Sequence, residues 1–252
     1  MTGFIDTHQL VMFIAAGWLL NLTPGPDVLY IVTNALKSGT RAGIVAGLGI
    51  TAGCFVHIFA AAVGVGALLA TSATAFTVLK WVGAAYLLWM GARMLFSKAS
   101  ADSASGAAIA AVRVESTAVV SLRSVFMGGF WTNVLNPKVA IFFLAFVPQF
   151  IAPGTENKAL AVVLLGVLFN VNAIPVNAGW ALAASWMARR VGAVAARRRA
   201  APKAGEPPWG AAGTRSDERG GLFSGMHWLD RVAGAMFIGF GLKLAFSDRP
   251  AA

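Results

Sequence analysis

Long stretches of this chain run apolar with scarcely a charge. Residues 42–79 contain no Asp, Glu, Lys or Arg, and neither do residues 159–188. Each run is longer than the roughly 20 residues that carry a helix across the hydrocarbon core of a bilayer. Six helical spans follow from the pattern. They cover about 4–36, 41–69, 75–96, 122–151, 159–188 and 228–246. Prolines interrupt the first at Thr23–Asp27 and the fourth near Asn136–Pro137. The last is the shortest in apolar length, because Asp230, Arg231 and Lys243 intrude. Long basic side chains at such positions can snorkel to the interface. The amino terminus lacks the basic segment that opens a cleavable signal peptide, so residues 4–22 read as a retained span.

Two stretches break the apolar pattern. Residues 97–121 are small and polar and join two halves. Residues 189–226 hold Arg197-Arg198-Arg199 and Pro207-Pro208. That composition predicts a disordered, basic cytoplasmic loop, which could also meet anionic lipid headgroups. The chain reads as one transmembrane domain, 1–252. Residues 1–97 form a first repeat, 98–121 a linker, and 122–252 a second repeat containing the basic loop 189–226. Three spans per half would make the second half enter from the opposite side, an inverted-topology repeat. The fold class is therefore all-α integral membrane protein, six helices in two inverted three-helix repeats.

Composition strengthens the class. The chain is 58% hydrophobic and 12% charged, with a mean hydropathy of +0.71; soluble domains carry about 25% charged residues. The net charge of +10 does not point to nucleic acid, because the basic residues cluster between apolar spans. With the amino terminus outside, fifteen of the twenty Lys and Arg fall on the inner side and four on the outer; Lys138 lies within the membrane. This is the positive-inside bias. The lone cysteine, Cys54, supports neither an internal disulfide nor a CxxC redox motif.

The candidate chemistry sits at the proline breaks. The first is Asn21-Leu22-Thr23-Pro24-Gly25-Pro26-Asp27; the second is Asn133-Val134-Leu135-Asn136-Pro137-Lys138. Asp27 and Lys138 are 111 residues apart, close to half the chain. Two prolines remove two backbone donors, and Gly25 admits unusual backbone conformations. Freed backbone groups in hydrocarbon need partners or water, so each break is expected to face a polar pathway. Amides after a break suit an anionic group. Asp27 could bind a substrate ammonium or a coupling proton, or simply cap the restarted helix. Lys138 could pair with Asp27, hold a substrate carboxylate, or snorkel. His57 could relay protons or be a hydrogen-bonded core residue. Asn170 and Asn177, seven apart, share a helix face and could pack helices or line the pathway. Gly43, Gly47, Gly49, Gly53, Gly64 and Gly66 predict close helix contact. No hydrolase, P-loop or metal-cluster motif is present in the sequence, so no catalytic residue, metal ligand or cofactor is expected.

At these residues the chain resembles the LysE/RhtB family of bacterial amino-acid exporters. The resemblance rests on Asn21 to Asp27, Gly83-Ala84-Ala85-Tyr86-Leu87-Leu88-Trp89-Met90-Gly91, and Asn136-Pro137-Lys138 with Phe142-Phe143-Leu144 and Val147-Pro148-Gln149-Phe150. It continues in Trp228-Leu229-Asp230-Arg231-Val232-Ala233-Gly234 and the segment Phe237 to Leu244. It implies proton-driven export of amino acids or related small zwitterionic metabolites across the bacterial inner membrane, by alternating access. The implied partners are an amino-acid-like small molecule and membrane lipid, with no nucleic acid; small-residue faces leave a homodimer open. Two alternatives stand beside it. One is a cation or metal-ion efflux protein, for which Asp27 alone is a thin site. The other is a membrane-integral enzyme or thiol carrier, which one cysteine supports poorly.

Overall fold

The computed structural model describes residues 7–71, 73–96, 121–152, 154–200 and 227–246, and all regular structure among them is helical. Helix α1 (Thr7–Leu22) is followed by α2 (Pro26–Thr71), α3 (Ala73–Phe96) and α4 (Leu122–Val134). A short helix α5 (Pro137–Ile141) runs into a π-helical turn (Phe142–Phe146) and a 3-10 turn (Val147–Phe150). Helices α6 (Lys158–Ala200) and α7 (His227–Phe246) complete the bundle. Both predicted interruptions are present, one between α1 and α2 and one between α4 and α5, where the axis bends by 49°.

Two helical stretches, Pro26–Gly64 and Lys158–Arg190, are long and apolar enough to cross a membrane, and the bent pair Leu122–Val134 with Pro137–Phe150 makes a third. The first stretch has 39 residues, which at 1.5 Å per residue would measure about 58 Å, nearly twice a bilayer core. It does not run straight. Gly39 has φ 83° and ψ 179°, outside the helical region. A Cβ on Gly43 would fall 2.7 Å from the Cβ of Ala35, and one on Gly47 would meet Ile31 at 3.8 Å. Residues eight and sixteen apart touch only if the chain folds back at Gly39. That φ strains any residue with a side chain. The sequence placed a span boundary between residues 36 and 41, and the turn falls there.

Helix α2 packs mainly on α4 and α6, α1 on α6, and α3 on α7. Glycine sets these distances. A Cβ on Gly49 would lie 2.1 Å from the Phe126 carbonyl oxygen, and one on Gly53 2.5 Å from that of Phe130. From the other side, a Cβ on Gly129 would reach the Ala46 oxygen at 2.5 Å. So α2 and α4 meet backbone to backbone, as small residues permit in membranes. Gly91 and Gly234 do the same for α3 and α7, each pointing at the other's carbonyl oxygen, at 2.6 and 2.7 Å. Gly64 has only an ordinary contact at 3.9 Å, and the side-chain position of residue 66 lies outside the described residues.

Aromatic side chains fill the space around the irregular segment after α5. Phe142 stacks on Phe146 at 4.9 Å, and Phe146 meets Phe240 edge-on at 4.5 Å. Phe13 reaches Phe150 at 5.3 Å. The segment departs from α geometry ahead of Pro148, which cannot donate to the Leu144 carbonyl. The sequence did not reveal this departure.

One boundary is corrected. Residues 189–200 were expected in a disordered loop, but α6 continues through them to Ala200. Between Ala188 and Ala200 there is no proline and mostly Ala, Val and Arg, so nothing stops the helix. The remainder of that loop, 201–226, and the linker residues 97–120 lie outside the described residues.

The glycine contacts yield a direct comparison. Gly49→Ala should destabilise the protein by about 1–3 kcal/mol through overpacking against backbone. Gly179→Ala, where nothing lies within 4 Å, should be neutral or stabilising by up to about 1 kcal/mol. Thermal unfolding of both variants in detergent checks this; equal behaviour would refute backbone contact between α2 and α4.

Candidate functional site

A proline in a helix strands the carbonyl four residues before it. Pro24 strands Leu20, and Pro137 strands Asn133. Each carbonyl is met by a side chain from the other half of the chain. The Lys138 ammonium donates to the Leu20 oxygen at 2.8 Å and to the Thr23 oxygen at 3.2 Å. His57 Nε2 lies 2.9 Å from the Asn133 oxygen. A carbonyl can only accept, so Nε2 carries the hydrogen. The Asn133 oxygen also accepts the Asn136 amide at 2.9 Å.

Lys138 thus sits in an unexpected electrostatic position. It is the second residue of α5, where the helix dipole disfavours a cation. Its ammonium leaves that end and reaches the carboxyl-terminal carbonyls of α1, which favour one. Asp27 is the second residue of α2, where the dipole suits a carboxylate. Its Oδ2 accepts from Asn133 Nδ2 at 2.9 Å. The Lys138 charge attracts it, and the Asn136 side chain lies beside it. Asn136 caps α5, its Oδ1 accepting from the Lys138 backbone amide at 3.0 Å.

These groups surround one internal cavity of about 30 Å³, room for about two water-sized groups. Of the predicted residues, Asn21, Thr23, Gly25, Asp27, Asn133, Asn136, Lys138, Asn170 and Asn177 line it. Asn170 also packs helices, donating to the Thr51 carbonyl at 3.2 Å. Pro24, Pro26, Pro137 and His57 do not line the cavity. Pro26 instead lines a separate open groove with Tyr30, Asn34, Lys37 and Thr132. Thr51 and Cys54 line the cavity and were not predicted to. Thr51 was findable, one turn before Cys54 in an otherwise apolar run.

The role expected for Gly25 is corrected. Among the described residues the positive-φ glycine is Gly39, not Gly25. A Cβ at Gly25 would sit 3.6 Å from Lys138 Nζ. The glycine therefore leaves room beside the ammonium; its backbone does not require it.

These features define a helical membrane protein whose two proline-broken helices meet at a buried polar cavity. The chain belongs to the LysE type translocator family, whose model matches residues 18–204. It is 33% identical over 180 residues to an uncharacterized membrane protein of Vibrio cholerae, covering 71% of this chain and 83% of the relative. It is 31% identical over 176 residues to the homoserine/homoserine lactone efflux protein of Salmonella typhimurium, 70% of this chain and 80% of the relative. A leucine efflux protein of an Enterobacter species is 29% identical over 153 residues, 61% of this chain and 68% of the relative. No solved structure matches the chain.

Two variants test the bonds at the breaks. His57→Leu strands the Asn133 carbonyl against one donor fewer and should cost about 1–3 kcal/mol of stability. His57→Gln supplies an amide donor and should recover most of that together with activity; a proton relay would be lost in both. Pro24→Ala returns an N–H to the Leu20 carbonyl, in competition with Lys138. Thermal stability should hold or rise, by up to about 3 kcal/mol, while transport falls. Transport unchanged in Pro24→Ala would remove the first break from the mechanism.

Proposed function

We propose that this chain is a secondary active exporter of amino acids or related small zwitterionic metabolites, working across the bacterial inner membrane by alternating access. The observation that carries the reading is the cavity itself: a carboxylate, an ammonium and five asparagines where two broken helices meet α6. Broken helices lend free backbone groups to substrates in secondary transporters. Two of the relatives are named as efflux proteins for homoserine or its lactone and for leucine. Export as the direction rests on those names.

Asp27 is the group proposed to exchange a substrate ammonium for a proton, which would couple export to the proton gradient. A cavity of about 30 Å³ is far smaller than an amino acid. Transport of an amino acid would therefore require the helices to part. The prolines supply the places where they can bend without breaking backbone bonds.

The proposed architecture is six spans in two inverted repeats. Its support is positional: Pro26-Asp27 and Pro137-Lys138 each open a restarted helix, and α3 and α7, third in each half, pair through one glycine apiece. The proposed orientation puts both termini outside and residues 189–226 inside. Two exposed Trp–Arg pairs agree with it. Arg93 lies 5.5 Å from the Trp89 ring and Arg190 5.0 Å from the Trp186 ring. Tryptophan with arginine marks an interface, and both pairs fall on the side assigned inward. A homodimer and bound lipid belong to the same proposal, supported by apolar outer faces such as Val63 and Phe246, 73% and 81% exposed.

Efflux from cells loaded in turn with each amino acid tests the function. At least one should leave faster with this chain than without it, and Asp27→Asn should reduce that rate roughly tenfold or more, a loss of about 1.4 kcal/mol or greater. No accelerated efflux of any amino acid would refute the reading. For orientation, a cysteine at residue 210 should resist an impermeant thiol reagent in intact cells, and labelling there would reverse the assignment.

A further inference from the structure

A second hollow lies against the first broken helix and shares none of the cavity's lining residues. It is the open groove formed by Pro26, Tyr30, Thr33, Asn34 and Lys37 of α2 with Thr132 of α4. Its volume of about 410 Å³ falls within the roughly 300–1,000 Å³ usual for small-molecule clefts. Pro26, Tyr30, Thr33 and Lys37 follow at intervals of four, three and four, so they form one stripe along the helix. Ile31 and Val32, between them, are buried, at 0% and 1% exposed. A membrane-spanning stretch thus begins by turning its polar side chains to its open side. Phenol, hydroxyl, amide and ammonium groups facing lipid are costly, and within membranes such groups line water-filled spaces or meet protein.

Groove and cavity meet at one bonded seam. Asp27 and Asn133 line the cavity, and their chain neighbours Pro26 and Thr132 line the groove. Asn133 Nδ2 donates to Asp27 Oδ2 at 2.9 Å, tying α4 to α2 at that level. Elsewhere along the same two helices, the Tyr30 hydroxyl donates to the Val125 carbonyl at 3.0 Å. Gly128 makes room for it, since a Cβ there would collide with the phenol. Lys37 is exposed and stands two residues before the Gly39 turn, on the side assigned inward.

We propose that this groove is the inward vestibule of the pathway: a water-filled binding site for a carboxylate-bearing substrate, with Lys37 at its mouth. Parting the Asp27–Asn133 and Tyr30–Val125 bonds joins it to the cavity. Lys37 draws the carboxylate in by its charge, and the hydroxyl and amide groups of the stripe replace water around it. Asp27 then serves twice. While it holds Asn133 the seam is shut, and an incoming ammonium competes for the same carboxylate. The inference rests on the exporter reading for its direction and its substrate.

The test needs no transported substrate. Thr33→Cys is labelled in inverted and right-side-out membrane vesicles with two impermeant methanethiosulfonates, one carrying a sulfonate and one a trimethylammonium. Both should react from the inner face and neither from the outer. A cysteine sunk in lipid stays inert, because the thiolate is the nucleophile. Val32→Cys, and the wild type with its buried Cys54, should react roughly tenfold more slowly or less. Asn34→Cys repeats the measurement if Thr33→Cys inserts poorly. Adding Lys37→Gln should lower the sulfonate-to-ammonium rate ratio about threefold, the effect of one charge near the thiol in a wet groove; Lys37→Arg should preserve it. Where an amino acid is exported, the adduct at residue 33 should block its efflux. No reaction at residues 33 and 34 from the inner face, reaction from the outer face, a rate ratio blind to Lys37, or undiminished efflux through labelled protein each overturns the vestibule. If the labelling is as expected but no amino acid leaves loaded cells, the exporter reading fails and the groove stands as a hydrated inward site for anions.

Discussion

Pro24 and Pro137 each remove the helical donor to a carbonyl inside an apolar span, and at both places a side chain from elsewhere in the bundle bonds that carbonyl. The cost of an unpaired backbone group away from water is several kcal/mol in lipid. Lys138 meets the carbonyl stranded by Pro24, and His57 meets the one stranded by Pro137. Both bonds cross between segments distant in sequence, at separations of 118 and 76 residues. They therefore fasten the two halves at the points where each helix is weakest. The glycine contacts of α2 on α4 serve the same end. Without the backbone-to-backbone approach of Gly53 to Phe130, His57 could not reach its carbonyl.

The site is what remains once those bonds are made. Asp27 and Lys138 occupy the same place in two restarted helices, yet their ends are opposite in electrostatic fit. The carboxylate stays where its helix dipole favours it and keeps one oxygen unpartnered. The ammonium is out of place at its own helix end and turns to the end of another. A charge that is structurally employed still contributes positive potential to the cavity. Exchanging the two residues would strand the Leu20 carbonyl and put an ammonium where Asn133 offers it a donor. The pair is not symmetric in its bonding, although it is symmetric in position.

Much of this was legible in the sequence, for definable reasons. Prolines beside charges inside apolar runs are rare, so the breaks and the residues around them stood out. Asn170 and Asn177 were grouped by a seven-residue spacing, and both line the cavity. The turn at Gly39 was legible from the polar residues Lys37 to Arg41 around it. Other features depend on three-dimensional partners. The direction in which Lys138 points is set by α1, which no local pattern encodes. His57 looked like a relay or a core residue because its carbonyl partner lies 76 positions away. Gly25 looked like a backbone requirement because glycine between prolines usually is one; its neighbour across the cavity explains it instead. The π-helical turn and the continuation of α6 to Ala200 both follow from local balances too small for residue patterns to decide.

The same arrangement bears on how the bundle could open. Parting two intact helices leaves their backbone bonds untouched, whereas bending one requires bonds to lengthen or break. At the proline breaks those bonds are already absent, and their substitutes come from side chains. A side-chain bond to a carbonyl can be replaced by water as a pathway hydrates, at little net cost; a helical bond in hydrocarbon cannot. On the exporter reading, admitting water on one side would loosen Lys138 from α1 or His57 from α4 and free the corresponding helix end to swing. Each break would then act as a hinge whose closure depends on dryness. The cavity is flanked by two such hinges, one at the end of α1 and one at the end of α4. Hydrating both together would release the two fastenings that hold the halves. Hydrating one at a time is what alternating access demands, and a pair of separate side-chain bonds permits it.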